Sequence, residues 1–265
     1  MRKPIPAWLK VSSYFLTLIL AQLIASRVLL LDSMWYYFGI ALALSYFFVR
    51  SEGHSLKSLG LVPGNATDLK HLFGGLGLGL LALLISAAIT IGLNGSRLVF
   101  TGRIDPVFLA ILILINLFSA FAQELTYRGY PFQRLLKTYG PWVAQAAVTL
   151  PFAIMHLKFQ TAVTWQQFLM TWLTTGLGSI LYGLCYIKSE KLSLSIGLHL
   201  GWNLAQALVP RSPAESKTLL FTLVQDQERY QPLNVLWPYI GISLLLMLII
   251  NFLPFAAPRQ KPIQS

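Results

Sequence analysis

Residues 106–137 read PVFLAILILINLFSAFAQELTYRGYPFQRLLK, and this stretch decides the class of fold. Its first part, Val107–Ala122, has no charged side chain, and a helix needs about 20 apolar residues to cross a bilayer. Glu124 and then Arg128 follow within the same predicted helix. A charge inside a membrane costs several kcal/mol, so it is normally paired or faces a cavity. We therefore expect a membrane-spanning helix that carries part of a functional site.

The rest of the chain has the same excess of apolar residues. Of its 265 residues, 55% are hydrophobic and 11% are charged, whereas soluble domains have about 25% charged residues. The mean hydropathy is +0.63. We predict an all-α, polytopic membrane protein in which about eight transmembrane helices enclose a cavity, as a single membrane domain over residues 1–265. The predicted spans are 11–31, 34–49, 72–93, 106–137, 141–157, 165–187, 192–210 and 235–254.

The net charge of +11 comes from short basic loops between the apolar segments. This distribution is typical of a protein in a lipid bilayer and argues against a nucleic acid partner. If the N-terminus lies inside the cell, the inner segments hold 13 of the 20 Lys and Arg residues and the outer segments hold 7. Because basic residues accumulate on the cytoplasmic side, the N- and C-termini of this multi-pass protein are predicted to be cytoplasmic.

The fourth predicted span is long enough to carry Glu124 deep into the membrane. If this helix continues to Lys137 and the chain turns at Thr138–Pro141, Glu124 and His156 both lie about 13 to 15 residues from the turn. At 1.5 Å per residue, both side chains are then roughly 20 Å deep. Pro131 is expected to kink the helix.

Three pairs of side chains stand four residues apart on three different predicted helices. They are Gln123-Glu124-x-x-x-Arg128, Phe152-x-x-x-His156 and His199-x-x-x-Asn203. Each spacing places both members on one side of a helix. One such pair is explained by a salt bridge or by hydrogen bonding between helices, but three pairs at similar depth indicate a site. Gly197 and Gly201 flank His199 and are expected to let their helix approach a neighbour closely.

In this order the three motifs resemble the signature of the CPBP family of intramembrane glutamic endopeptidases. This family contains CaaX prenyl endopeptidases, bacteriocin-processing proteins and abortive-infection proteins. Its signature is Glu-Glu-x-x-x-Arg, Phe-x-x-x-His and His-x-x-x-Asn or Asp on an eight-helix fold. Tyr127 and Tyr130 also flank Arg128-Gly129 as is typical of the first motif. The resemblance covers about residues 106–205, which we take as the motif-bearing core.

The resemblance implies a peptidase mechanism for these positions. A glutamate and His156 would activate a water molecule, and His199 and Asn203 would stabilise the oxyanion. It thus assigns catalytic roles to Glu124, His156, His199 and Asn203, with Gln123, Arg128 and Phe152 supporting them.

The first motif differs from the family pattern because Gln123 replaces its first glutamate. A neutral amide has no useful basicity, which leaves three alternatives. Glu124 has taken over as the base, or His156 suffices alone, or the chain no longer cleaves peptides.

Four functions are compatible with these residues. The first is an endopeptidase that cuts a membrane-associated peptide or protein from a cavity open to the cytoplasmic side. The second is a non-proteolytic binding or regulatory protein of the same fold, which Gln123 favours. The third is a zinc site formed by one Glu and two His, although we expect no cofactor because no His-Glu-x-x-His element is present. The fourth is a transporter with a proton relay, but the chain shows no internal repeat of the kind that many transporters have.

Overall fold

The computed structural model describes residues 5–28, 31, 33–102, 104–157, 163–213, 217–225 and 229–254. In these residues the chain forms nine α-helices, a short 3₁₀ helix at Leu56–Leu59 and one two-stranded antiparallel sheet. The helices are α1 Ala7–Ala25, α2 Met34–Ser51, α3 Ala66–Leu93, α4 Pro106–Arg128, α5 Tyr130–Tyr139, α6 Pro141–Ile154, α7 Trp165–Ser189, α8 Leu192–Leu208 and α9 Leu233–Phe252. The strands are β1 Arg97–Phe100 and β2 Phe221–Val224. Residues 1–4 and 255–265, and with them both predicted cytoplasmic termini, lie outside the described residues.

The outer surface of the helices is apolar, as expected for a protein whose solvent is lipid. Trp142, Phe252 and Leu114 expose 86%, 80% and 63% of their surface. In the described part of the chain, five helical units are long and apolar enough to cross a membrane, namely α1, α3, α4 together with α5, α7 and α9. The prediction of a helical integral membrane protein is confirmed, whereas the count of about eight spans stays a prediction. Helix α8 is buried along almost its whole length, so its environment is protein rather than lipid.

The prediction of a single helix over 106–137 is wrong in one respect, because the helix breaks at Gly129. Helix α4 ends at Arg128, and Gly129 has ψ −128°. The Gly129 N–H donates to the carbonyl oxygens of Glu124 at 3.0 Å and Leu125 at 3.1 Å. Pro131 lies in the first turn of α5, where a residue without an N–H is tolerated. The irregularity expected at Pro131 is therefore a break two residues earlier.

Helices α3 and α8 run parallel with their backbones in direct contact. A β-carbon added to Gly197 or Gly201 of α8 would come closer than 3.0 Å to the carbonyl oxygen of Leu72 or Leu76 of α3. Gly75 and Gly79 of α3 face the α8 backbone in the same way. The close approach expected for the α8 glycines is thus confirmed. At 3.6 residues per turn, His199 lies about half a turn from both glycines, on the side of α8 that faces away from α3.

The two ends of the helix bundle hold different segments of the chain. At one end, here called the terminal side, α1 begins and α9 ends, and Lys10 Nζ lies 2.6 Å from Glu52 Oε1. The opposite end, here called the hairpin side, holds the β1–β2 sheet. There the Asn234 side chain donates to Asn94 Oδ1 at 3.0 Å and joins the start of α9 to the end of α3.

Candidate active site

Glu124 lies at the centre of a buried polar cluster that joins the first and third motifs. It is 0% exposed. Its Oε1 atom is 2.9 Å from His199 Nδ1 and 3.5 Å from Arg128 Nη1. In the described part of the protein, its second oxygen, Oε2, has no hydrogen-bond partner. The carboxylate is thus held between a cation of its own helix and an imidazole of α8.

Arg128 explains how the cluster tolerates its depth. Its Nη2 atom donates to the Ser179 carbonyl oxygen at 2.6 Å and to Ser179 Oγ at 2.9 Å. Its guanidinium carbon lies 4.9 Å from the Phe152 ring centre and 5.3 Å from that of Tyr182. Aromatic faces and a carboxylate both stabilise a buried cation. Arg128 therefore ties α4 to α7 and compensates Glu124.

His199 has a defined orientation. Its ring stacks on Tyr182 with centroids 4.3 Å apart and 12° between the planes, and Nδ1 contacts Glu124. The ring nitrogen that remains for other contacts is Nε2. Asn203, one helical turn further along α8, lines the same cavity as His199.

His156 follows α6 instead of lying in it, which corrects the helix predicted to reach residue 157. Helix α6 ends at Ile154, and His156 Nδ1 lies 2.7 Å from the Phe152 carbonyl oxygen. This contact satisfies a carbonyl oxygen at the end of α6. It also keeps the Phe152 and His156 rings together, with centroids 4.6 Å apart. Because a carbonyl only accepts, Nδ1 carries the proton, so Nε2 of the neutral ring is free of a proton. This nitrogen can accept a proton from a substrate or a water molecule.

Two cavities meet at His156. The first, here called the His199 cavity, has a volume of about 480 Å³ and is lined by His156, His199 and Asn203 among others. The second, the Gln123 cavity, has a volume of about 330 Å³ and is lined by Gln123, His156 and Tyr37 among others. An extended peptide that passes the His156 side chain would therefore have space on both sides of it.

The neighbouring residues Gln123 and Glu124 have different surroundings. Gln123 lines the Gln123 cavity, while neither of the two cavities touches Glu124. The Gln123 Nε2 atom donates to Ser119 Oγ at 3.1 Å, and its Oε1 has no hydrogen-bond partner within the described ranges. Consecutive helical residues point about 100° apart, so one faces the cavity and the other the buried cluster.

The structure brings the three predicted motifs together around these two cavities. Phe152 lies between the His156 ring and the Arg128 guanidinium. Two further site residues, Ser179 and Tyr182 of α7, hold Arg128 and His199 and were not predicted from the sequence. The available signal was the three-residue spacing of this serine and tyrosine, which places both on one side of the predicted span 165–187.

No three His, Cys, Asp or Glu side chains are grouped closely enough to hold a metal ion in the part of the chain that the structure describes. The zinc alternative, and equally the expectation of no cofactor, stay predictions.

Residues 105–205 match the family model described as Type II CAAX prenyl endopeptidase Rce1-like. The match covers the part of the chain that carries the three motifs, so the resemblance to this protease family is confirmed. No curated protein and no solved structure matches the chain.

Proposed function

We propose that this chain, similar over residues 105–205 to the CAAX protease family, is an intramembrane endopeptidase that cuts a membrane-associated peptide or protein. The observation that carries the proposal is the hydrogen bonding and the position of the His156 ring. Its Nδ1 is bound to a backbone carbonyl, and its ring lies where the two cavities meet. This combination provides a base beside space for an extended chain.

His156 acts as the general base. Its Nε2 takes a proton from a water molecule while the water oxygen bonds to the carbonyl carbon of the scissile peptide. The same nitrogen then returns the proton to the leaving amine as the C–N bond breaks. Positioned acid–base catalysis of this kind contributes about 10²- to 10⁴-fold to the rate.

His199 and Asn203 stabilise the oxyanion that forms on the carbonyl oxygen. Both side chains line the His199 cavity, and Asn203 offers its amide N–H groups. In a doubly protonated imidazole both nitrogens donate, so Nε2 can bond the oxyanion while Nδ1 stays on Glu124. Positioned donors of this kind are worth about 2.7–4 kcal/mol each.

We assign Glu124 a positioning role instead of the base role that the sequence left open. Its side chain is 0% exposed and already bonds His199 and Arg128. Gln123, which lines the cavity beside His156, orients the water molecule by accepting its hydrogen bond through Oε1. An amide cannot take the proton, so the basicity comes from His156 alone.

The test is cleavage of a peptide library by the detergent-purified chain, measured by mass spectrometry. His156→Ala is expected to abolish cleavage, and Asn203→Ala to lower kcat about 10²- to 10³-fold. His54→Ala is the matched control, because His54 is an exposed loop histidine, and its activity should equal wild type. Unchanged cleavage in a folded His156→Ala protein would refute the mechanism.

The roles of the first motif are separated by a second pair of variants. If Glu124 positions His199, Glu124→Gln lowers kcat with little change in KM and leaves measurable cleavage. Complete loss of cleavage, equal to that of His156→Ala, would instead identify Glu124 as the base. Gln123→Glu is expected to raise kcat because it adds a carboxylate beside His156. Glu190→Gln, at an exposed glutamate, is the control for Glu124→Gln, because it removes the same charge away from the site.

A non-proteolytic binding protein is the second candidate, and the amide of Gln123 in the cavity favours it. Under this function the wild type is silent in the library assay while Gln123→Glu cleaves. Binding of a captured membrane peptide would then persist in His199→Ala.

A further inference from the structure

The Gln123 cavity is lined by polar side chains from three helices. Gln22 of α1, Tyr37 of α2 and both Ser119 and Gln123 of α4 contribute to its wall. Each of them lies in a segment that the sequence predicts to span the membrane. A polar group inside a bilayer is costly unless it is hydrogen-bonded. The convergence of these side chains on one space therefore points to a polar occupant.

Three polar atoms around this cavity are buried and have no hydrogen-bond partner in the described part of the chain. They are Gln123 Oε1 and the hydroxyl oxygens of Tyr37 and Tyr127. The Tyr37 hydroxyl lies close to those of Thr126 and Tyr127, without the geometry of a hydrogen bond to either. Because buried polar groups are normally paired, we expect these atoms to bond a molecule that enters the cavity.

The wall of the cavity is uncharged, since its described residues include no Lys, Arg, Asp or Glu. An ionised side chain that entered would lose its hydration without meeting an opposite charge. An apolar side chain would leave the two tyrosine hydroxyls unpaired, which also costs binding free energy. A hydroxyl or carboxamide group avoids both costs, because it offers a donor and an acceptor and carries no charge.

The cavity is large enough for a side chain as well as for the reacting water molecule. Its volume is about 330 Å³, whereas the share of one water molecule in the liquid is about 30 Å³. His156 and Gln123, which bind the water in the proposed mechanism, form one part of the wall. Tyr37 comes from another helix, α2, so its hydroxyl is available to a second group.

We propose that the Gln123 cavity is a subsite for a neutral, hydrogen-bonding side chain of the substrate, namely Ser, Thr, Asn or Gln. The Tyr37 and Tyr127 hydroxyls bind the polar group of that side chain. Because His156 also lines this cavity, the recognised residue is a close neighbour of the bond that is cut. Its place beside a cleaved bond rests on the proposed peptidase function, whereas the choice of side chain does not.

The subsite includes helices outside the part of the chain that matches the protease family. Gln22 and Tyr37 both precede residues 105–205, the range of that match. Helices α1 and α2 therefore add a selectivity that the three motifs do not carry by themselves. Tyr37 is then a specificity-determining residue and has no part in the acid–base chemistry of His156.

The test compares peptides that differ by one isosteric replacement. Thr and Val have nearly the same shape, as do Asn and Leu, so each pair changes the hydrogen-bonding capacity and little else. Peptides carry either member of a pair at each position around the cleaved bond, and kcat/KM is measured for the detergent-purified full chain. Tyr37→Phe removes the hydroxyl, and Tyr46→Phe, at a tyrosine of the same helix that is 53% exposed, is the matched control.

We expect the wild type to prefer the polar member of each pair at one position by at least about 10-fold in kcat/KM, the effect of an unpaired buried hydroxyl. Tyr37→Phe should reduce this ratio several-fold, mainly by slowing cleavage of the polar peptides, while Tyr46→Phe keeps it. The absence of a preference in the wild type, or an unchanged preference in Tyr37→Phe, would overturn the proposal.

A binding measurement separates this proposal from the peptidase function and decides the case in which the wild type cuts nothing. The His156→Ala protein is incubated with the same peptides, and those that it retains are identified by mass spectrometry. Retention of the Thr and Asn members over the Val and Leu members would support the subsite without any cleavage. In that case, equal retention of both members, or no retention, would contradict it.

Thermal unfolding distinguishes recognition from a structural role of Tyr37. A hydroxyl without a partner in the free protein adds nothing to its stability, so Tyr37→Phe should unfold at the wild-type temperature or above it. A hydroxyl that is hydrogen-bonded within the fold would instead give a clearly lower midpoint. That result would assign Tyr37 to the packing of α2 on α4 and refute its role in the subsite.

Discussion

At the scale of single residues, the buried pair Glu124–Arg128 decides whether the site can exist inside a membrane. Both side chains are 0% exposed, and each has a further partner in another helix, His199 for the glutamate and Ser179 for the arginine. An isolated buried charge is costly, but a paired and hydrogen-bonded one is tolerated. The same contacts that make the charges acceptable also orient the His199 ring.

Arg128→Met is therefore expected to destabilise the protein strongly. It leaves the Glu124 carboxylate buried without its cation, which costs on the order of 3–5 kcal/mol. The measurement is the thermal unfolding midpoint in detergent. Arg50→Met is the control, because Arg50 is exposed on α2 and its loss should shift the midpoint little. Equal midpoints for the two variants would show that the buried pair does not stabilise the fold.

At the scale of helices, the contact between α3 and α8 gives α8 two opposite faces with different roles. Gly197 and Gly201 lie against the α3 backbone, while His199 and Asn203 line the cavity. Small residues let two helix backbones come into contact. The closeness of α3 therefore positions the face that carries the third motif.

Gly197→Ala should disrupt this contact. The new methyl group would collide with the Leu72 carbonyl, a backbone atom that cannot rotate away, and overpacking of this kind costs about 1–3 kcal/mol or more. Gly77→Ala is the matched control, because no described atom lies within 4 Å of a β-carbon at Gly77. There, less chain entropy in the unfolded state should stabilise the protein by about 0.4–1 kcal/mol. Thermal midpoints that move in the same direction would contradict this role of the two glycines.

At the scale of the whole molecule, Glu52 joins the first two helices to the helix that follows the first motif. Its Oε1 accepts from Lys10 Nζ at 2.6 Å and from the Tyr130 hydroxyl at 3.0 Å, and Arg134 Nε lies 3.3 Å away. Partial burial acts to raise the pKa of Glu52. The hydrogen bonds from Lys10 and Tyr130 and the charge of Arg134 outweigh it and hold this pKa below the usual 4.5.

The lowered pKa of Glu52 predicts acid destabilisation with a defined sign. A carboxyl group whose pKa is lower in the folded state stabilises the fold above its ordinary pKa, and this contribution is lost as the pH falls through the folded pKa. The thermal unfolding midpoint of the wild type should therefore decrease as the pH is lowered below 4.5. Glu52→Gln should have a lower midpoint at neutral pH and a flatter acid limb, whereas Glu190→Gln should follow the wild type. A Glu52→Gln acid limb as steep as that of the wild type would rule out this cluster as the cause.

The sequence by itself determined the membrane class, the helical fold and the three motifs. These follow from local properties, since apolar runs match a bilayer and four-residue spacing matches a helical turn. It did not determine the break at Gly129 or the end of α6 at Ile154. These depend on individual hydrogen bonds to backbone carbonyl oxygens, from the Gly129 N–H in the first case and from His156 Nδ1 in the second. Only the tertiary structure decided that Gln123 faces a cavity while Glu124 meets His199, 75 residues further along the chain. The rotation of α4 against α7 and α8 sets these two environments, and that rotation depends on contacts between residues far apart in sequence, such as Arg128 with Ser179.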